Sequence, residues 1–314
     1  MDVILRIEVF LMKDDLSINR KRLFQERFFQ GLFFSGALIA VLLVIGIIIL
    51  IFTRGLEPFS PTNQYGRYRF LDFVTGLEWR PLHGDGVFGI GYMIVGSILS
   101  TLGAIILGVP IGVLTAVFIA EIAPKPLANI MQMIVELLAA VPSVLYGVFG
   151  FAVIVPMVAE ISPNVTGHSL LAVIIVLTIM VLPSIVAIST TSLKAVPRVY
   201  KEGSLALGSS RIQTIFKVLI PSAKSGILTG IVLGTGRAIG ETMAVILVAG
   251  NPEGGIPTTI FDRVRLLTTN IVLEQGYAAE LHAQMLFSTV IVLFVFIMII
   301  NITLTKIRKK AVDM

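Results

Sequence analysis

Long apolar runs alternate with polar segments along the whole chain. Six runs are long enough to cross a bilayer, near 29–52, 91–119, 130–158, 169–190, 225–249 and 283–305. A helix needs about 20 apolar residues to span hydrocarbon. Backbone groups cannot stay unpaired in lipid, so the pattern predicts an all-α membrane protein with six transmembrane helices. The chain then divides into an N-terminal segment (1–28), a first span (29–52), a loop (53–90), a core (91–305) and a short tail (306–314). Pro110, Pro142, Pro156 and Pro183 fall inside runs two to four. Each removes a backbone hydrogen bond and predicts a kink.

The segment between runs four and five breaks this rhythm. About thirty residues separate Thr190 from Ser225, far more than adjacent helices require. Ile212, Ile215, Phe216 and Leu219 recur at helical spacing opposite Arg211, Gln213 and Lys217. That predicts short amphipathic helices lying along one face of the membrane. They present a knob to a soluble partner or rest on anionic lipid.

Composition agrees with the pattern. Hydrophobic residues make up 56% and charged residues 14%, and the mean hydropathy is +0.95. Such values mark a polytopic membrane protein. The run from Phe29 to Phe52 is full length and lacks a small-residue cleavage site, so it is expected to remain as an anchor.

The charge distribution sets an orientation. With both termini cytoplasmic, the basic residues of segment 1–28, Lys125, the cluster from Lys194 to Lys224 and the tail from Lys306 to Lys310 lie inside. Only Arg54, Arg67, Arg69, Arg80, Arg263 and Arg265 lie outside. The positive-inside rule favours this arrangement in a plasma (inner) membrane. The net charge of +5 is therefore a topology signal, and nucleic acid is not expected as a partner. No Gly-Lys pair occurs, so no phosphate-cradling loop of the G-x-x-x-x-G-K-[ST] type is present. Any ATP used here is hydrolysed by another chain, and no cofactor is expected on this one. Cysteine is absent. His83, His168 and His282 lack metal-ligand spacing, so no metal site is expected.

Polar residues inside the spans are the candidate chemistry. On a continuous helix at 100° per residue, Gly226, Gly230, Gly234, Arg237 and Glu241 share a stripe about 80° wide. Arg237 lies roughly 20 Å along from Pro221, near mid-bilayer. A charge at that depth is costly unless it is paired or faces water. It could form a structural i,i+4 pair with Glu241, although Arg-then-Glu is the weaker order. Alternatively, its planar fork binds an anion such as phosphate, with Glu241 accepting from a protonated oxygen. Glu136 is a secondary intramembrane candidate, functional by default or held in a local ion pair or hydrogen bond. Trp79 reads as an interfacial anchor or a contact for an external partner. Asn164-Val-Thr166 is a glycosylation sequon, meaningful only in a secretory pathway. The segment 251–281 reads equally as a connecting loop or as a contact for a delivery protein.

A resemblance sharpens this picture. Glu202-Gly203-Ser204, Gly208 and Val218-Leu219-Ile220-Pro221 match the spacing of the EAA loop (202–221) of ATP-binding-cassette importer permeases. Gly203 and Ser204 stand where that pattern has alanines. Gly236 to Asn251, Val135 to Gly147 and Ala116 to Pro124 further resemble PstC-type permeases of phosphate-specific importers. The resemblance implies a type I ABC importer permease fold and makes Glu202, Gly208, Arg211 and Pro221 the ATPase-coupling loop. It places Arg237 and Glu241, with Gly230 and Gly234 beside them, on a phosphate pathway. The implied partners are a second, PstA-like permease, two PstB-like ATPase subunits, a PstS-like extracytoplasmic binding protein and membrane lipid. A permease for sulfate or molybdate, or an ion-coupled secondary carrier, is the alternative. The carrier leaves the EAA spacing unexplained.

Overall fold

The computed structural model describes residues 2–61, 68–82, 86–163 and 166–313. The chain forms two compact units, Met1–Arg54 and Gly55–Met314. The first unit is most of one helix, α1 (Asp2–Leu56). From Leu23 onward its apolar side chains, such as Leu32, Leu43 and Ile49, stand exposed on all sides. A helix apolar all round is built for a lipid surround.

The second unit is a helical bundle with a small two-stranded ribbon at one end. After α2 (Phe70–Thr75), strands β1 (Trp79–Arg80) and β2 (Val87–Phe88) pair antiparallel, Trp79 opposite Phe88. Next come α3 (Gly91–Val117), α4 (Lys125–Ala140), α5 (Ser143–Phe149), α6 (Val155–Ile161) and α7 (Leu170–Lys194). The linking region holds α8 (Arg198–Ala206), α9 (Arg211–Thr214) and α10 (Ile220–Ser222). The chain finishes with α11 (Lys224–Gly240), α12 (Met243–Val248), α13 (Leu267–Glu274) and α14 (Glu280–Asp313). α7 packs against both α3 and α11, which also touch each other.

Among the described residues, five helices are long and apolar enough to span a membrane: Arg22–Phe59, Gly91–Ile122, Ser143–Ile161, Leu170–Lys194 and Glu280–Lys310. A sixth span arises if Arg211–Ser222 and Lys224–Gly240, bent by 70°, are taken together. Two sequence expectations need correction. Run three (130–158) is not one helix. α4 stops at Ala140, Val141 is extended (ψ 128°), and α5 begins after Pro142. The proline ring drives its predecessor out of the helical region. Run five (225–249) also breaks, because α11 ends at Gly240 and Glu241 is extended (ψ 127°).

The other prolines follow a consistent pattern. Pro110 and Pro183 sit within unbroken helices. Three widened π turns, Phe118–Ile122, Gly150–Ile154 and Ile215–Leu219, each end two residues before a proline, at 124, 156 and 221. A proline ring excludes the carbonyl four residues back, which here lies inside each π turn, so the wider turn relieves the clash.

Candidate substrate pathway and coupling surface

Gly226, Gly230 and Gly234 of α11 face inward. A Cβ on Gly226 would stand 1.9 Å from Ser192 Oγ, and one on Gly234 would stand 3.0 Å from Ile185 Cγ1. Gly230 lies likewise against Ile188. The stripe is the seam where α11 approaches α7 most closely, the role small residues play between membrane helices. Gly230 and Gly234 are therefore packed within the chain.

Arg237 lies in the last turn of α11, where a cation complements the helix dipole. It is half-buried and close enough to Tyr146 to act electrostatically on its hydroxyl. That hydroxyl donates to the Leu138 carbonyl (2.7 Å), so Arg237 faces the break between α4 and α5. Among the described residues it has no hydrogen bond or ion pair.

The i,i+4 pair with Glu241 does not form, because the helix ends between the two residues. Glu241, 8% exposed, turns instead to α12, and its Oε1 accepts from the Ala244 N–H (3.0 Å). Its carbonyl accepts from Thr268 Oγ1 (3.2 Å), tying the break to α13. Sequence reasoning missed this because it carried one helical periodicity through Gly240. Glu136 stands on an exposed face of α4, where it accepts from Gln132 Nε2 (3.2 Å).

The linking region is tightly braced. α8 ends at Ala206, and Gly208 takes a left-handed φ of +84° that favours glycine. Ser210 and Gln213 form a reciprocal capping box at the start of α9. Ser204 Oγ meets Thr214 Oγ1 at 2.9 Å, so the serine in an EAA alanine position joins α8 to α9. Of the apolar residues expected on one face, Ile215 and Leu219 are buried, whereas Ile212 and Phe216 are exposed. Leu207, 89% exposed, stands out with Val199 and Tyr200 beside exposed Glu202. Arg211 donates to the Glu121 carbonyl, and Lys201 Nζ lies 2.5 Å from Glu121 Oε2. These contacts fasten the loop to the π turn that ends the α3 span.

At the opposite end of α3 the structure holds a centre that sequence reasoning missed. Glu274, 4% exposed, accepts from Trp79 Nε1 (2.6 Å) and pairs with Arg265 and with His282 Nε2 (2.7 Å). Trp79 is fully buried against Phe88 and His282, so it is neither an interfacial anchor nor an exposed contact. Tyr277 packs beside His282 at 5.8 Å, and burial, then the Glu274 charge, pushes its hydroxyl pKa up. Segment 251–281 is more than a connector, because Val264 to Asn270 run buried into the bundle. No clustering of His, Asp and Glu able to hold a metal occurs among the described residues. His83 and Asn164 lie outside the described residues.

The family described as "Binding-protein-dependent transport system inner membrane component" matches residues 108–312. The chain is similar to the probable ABC transporter permease protein YqgH of Bacillus subtilis, 38% identical over 262 residues and covering 83% of each chain. It is also similar to the phosphate transport system permease protein PstC of Pasteurella multocida, 31% identical over 275 residues, 80% of this chain and 85% of that one. A solved chain of a bacterial ABC transporter involved in alginate import shares the fold, with a TM-score of 0.59 at 17% identity over 90% of this chain and 99% of that one.

Proposed function

This chain belongs to the family of binding-protein-dependent transport system inner membrane components, and from that premise we propose that it is the PstC-type permease subunit of an ATP-driven importer for inorganic phosphate. The observation that carries the substrate is Arg237, a half-buried guanidinium with no ion-pair partner among the described residues, at the end of an apolar helix. A charge so placed is stabilised by an anionic ligand that its planar fork can grip through two oxygens. Phosphate offers such oxygens, and relatives of this chain are named for its transport.

The chain supplies half of the pathway. A second, PstA-like permease supplies the other half, a PstS-like binding protein delivers phosphate, and two PstB-like ATPases hydrolyse ATP. Both termini lie in the cytoplasm of a cell whose inner membrane holds the complex. The exposed Val199, Tyr200 and Leu207 beside Glu202 enter a groove on the ATPase. Closure of the ATPases is passed through Lys201 and Arg211 to Glu121, and so to the end of the α3 span. Phosphate passes Arg237 as the bundle rocks. Glu241, with Oε1 held by Ala244, accepts from a protonated phosphate oxygen through Oε2, an interaction that fully ionised sulfate cannot offer.

A second reading rests on YqgH, whose name carries no solute: the same permease could serve another oxyanion. Uptake in cells lacking their own high-affinity phosphate system, with this chain and its partners supplied, separates the two. Phosphate uptake blocked by excess phosphate but not by sulfate or molybdate supports the proposal. Uptake of sulfate or molybdate instead of phosphate overturns it.

A further inference from the structure

Where the α3 and α7 spans end beside α8, the bundle holds an open cleft of about 610 Å³. Lys125, Lys194, Arg198 and Lys201 line it, opposed only by Glu121 and Glu202. Lys201 is already committed to Glu121 (2.5 Å), and Lys194 donates to Gln132 (2.9 Å). Among the described residues, Lys125 and Arg198 have no partner. Both open a helix: Lys125 is the first residue of α4 and Arg198 the first of α8, each following a proline. Neither helix start is capped by a side chain. The cleft thus gathers two unpaired cations and the positive ends of two helix dipoles on one space. Its remaining wall is apolar, with Leu193 and Leu219 among the lining residues.

We propose that this cleft binds a phosphoryl group, and that its occupant is the headgroup of an anionic phospholipid. Basic pockets between membrane helices near the bilayer surface suit such headgroups. α7 ends at Lys194 and the α3 span at Ile122, so the cleft lies where two apolar spans give way to the linking region. The mixed lining matches a charged head above an acyl chain better than it matches a bare ion. The site is separate from Arg237, which lies in the last turn of α11, and it touches the coupling loop through Lys201 and Glu202. A bound headgroup therefore braces the loop against the end of the α3 span.

The test uses the full transporter, purified with its partner subunits, in nanodiscs of phosphatidylcholine with or without phosphatidylglycerol. Native mass spectrometry counts the phosphatidylglycerol retained, and equilibrium dialysis measures labelled inorganic phosphate. K125Q/R198Q is compared with wild type and with K217Q, a charge loss on the same linking region but outside the cleft. At about 1 kcal/mol for each surface cation, the double variant is expected to hold phosphatidylglycerol about 30-fold more weakly, with K217Q near wild type. If the double variant fails to assemble, K125Q and R198Q singly are each expected to lose about 5-fold. Loss of inorganic phosphate binding instead supports the site with free phosphate as its occupant. No loss of either ligand, or an equal loss in K217Q, overturns the proposal.

Discussion

Trp79 and Glu274, 195 residues apart, are joined by a 2.6 Å hydrogen bond from the indole Nε1 to a carboxylate that also holds Arg265 and His282. The carboxylate fastens the ribbon, the start of α14 and the segment before α13 to one point. With both partners buried, removing the negative charge strands a guanidinium in the interior. E274A is expected to destabilise the protein by about 3–5 kcal/mol. W79F, which loses one bond to a charged acceptor, is expected to cost about 1.5–3 kcal/mol. Thermal unfolding of the detergent-solubilised protein measures both. Pairing E274A with R265M should recover part of the loss, because the stranded charge is gone. No recovery would mean that the unpaired guanidinium is not what destabilises E274A.

Arg237 and Glu241 are separated by a helix end, so their variants should behave independently. R237Q is expected to abolish phosphate uptake while the complex still assembles, and R237K to retain a minor fraction, since lysine lacks the two-pronged fork. Normal uptake in R237Q at equal membrane levels would remove Arg237 from the anion path.

At Glu241 the cap and the charge can be told apart. E241Q keeps an oxygen for the Ala244 N–H and should melt near wild type, whereas E241A loses the cap at a cost of about 1 kcal/mol. If uptake needs the carboxylate, E241Q transports poorly despite its stability. Equal uptake by E241Q and wild type would leave the residue a purely structural part of the break.

The seam between α11 and α7 offers a steric test. In G226A the new methyl would meet Ser192 Oγ at 1.9 Å and Ser192 Cβ at 2.5 Å, an overpacking expected to cost about 1–3 kcal/mol. S192G in the same chain should restore most of it. G236A, whose methyl would meet nothing within 4 Å, is expected to be neutral or to stabilise α11 by up to about 1 kcal/mol. Melting temperatures of the three variants decide the matter, and equal losses at positions 226 and 236 would contradict the packing.

Asp262 supplies a pH signature outside the spans. The backbone N–H groups of Thr259 and Thr258 donate to its carboxylate, hold its pKa down at about 2 and close the turn before Arg263. A depressed acid contributes stability above its unfolded value near 3.8, and that contribution disappears as pH falls through about 2. Amide exchange protection at Thr258 and Thr259 should therefore hold steady from neutral pH down to about 4 and decline below it. A decline beginning near pH 6 would point to a different group.

Much of this protein was legible in its sequence. Membrane spans depend on runs of apolar residues, and apolar burial accumulates locally along the chain, so the runs at 91–119, 169–190 and 283–305 anticipate α3, α7 and α14. The linking region was legible too, because Gly208 and Pro221 carry local turn signals and Ile215 and Leu219 recur at helical spacing. The isolated guanidinium of Arg237 was conspicuous against its apolar background. The rest depended on partners brought from far away. Periodicity ran on through Gly240, although Glu241 is drawn to Ala244 and its carbonyl to Thr268. Trp79, Arg265 and His282 read separately as an anchor or external contact, an outer arginine and a stray histidine, and only folding brings them onto the Glu274 carboxylate. Hydrophobic patterning is a one-dimensional property that short windows record, whereas the pairing of a buried charge is settled by whichever group the tertiary structure sets within about 3 Å of it.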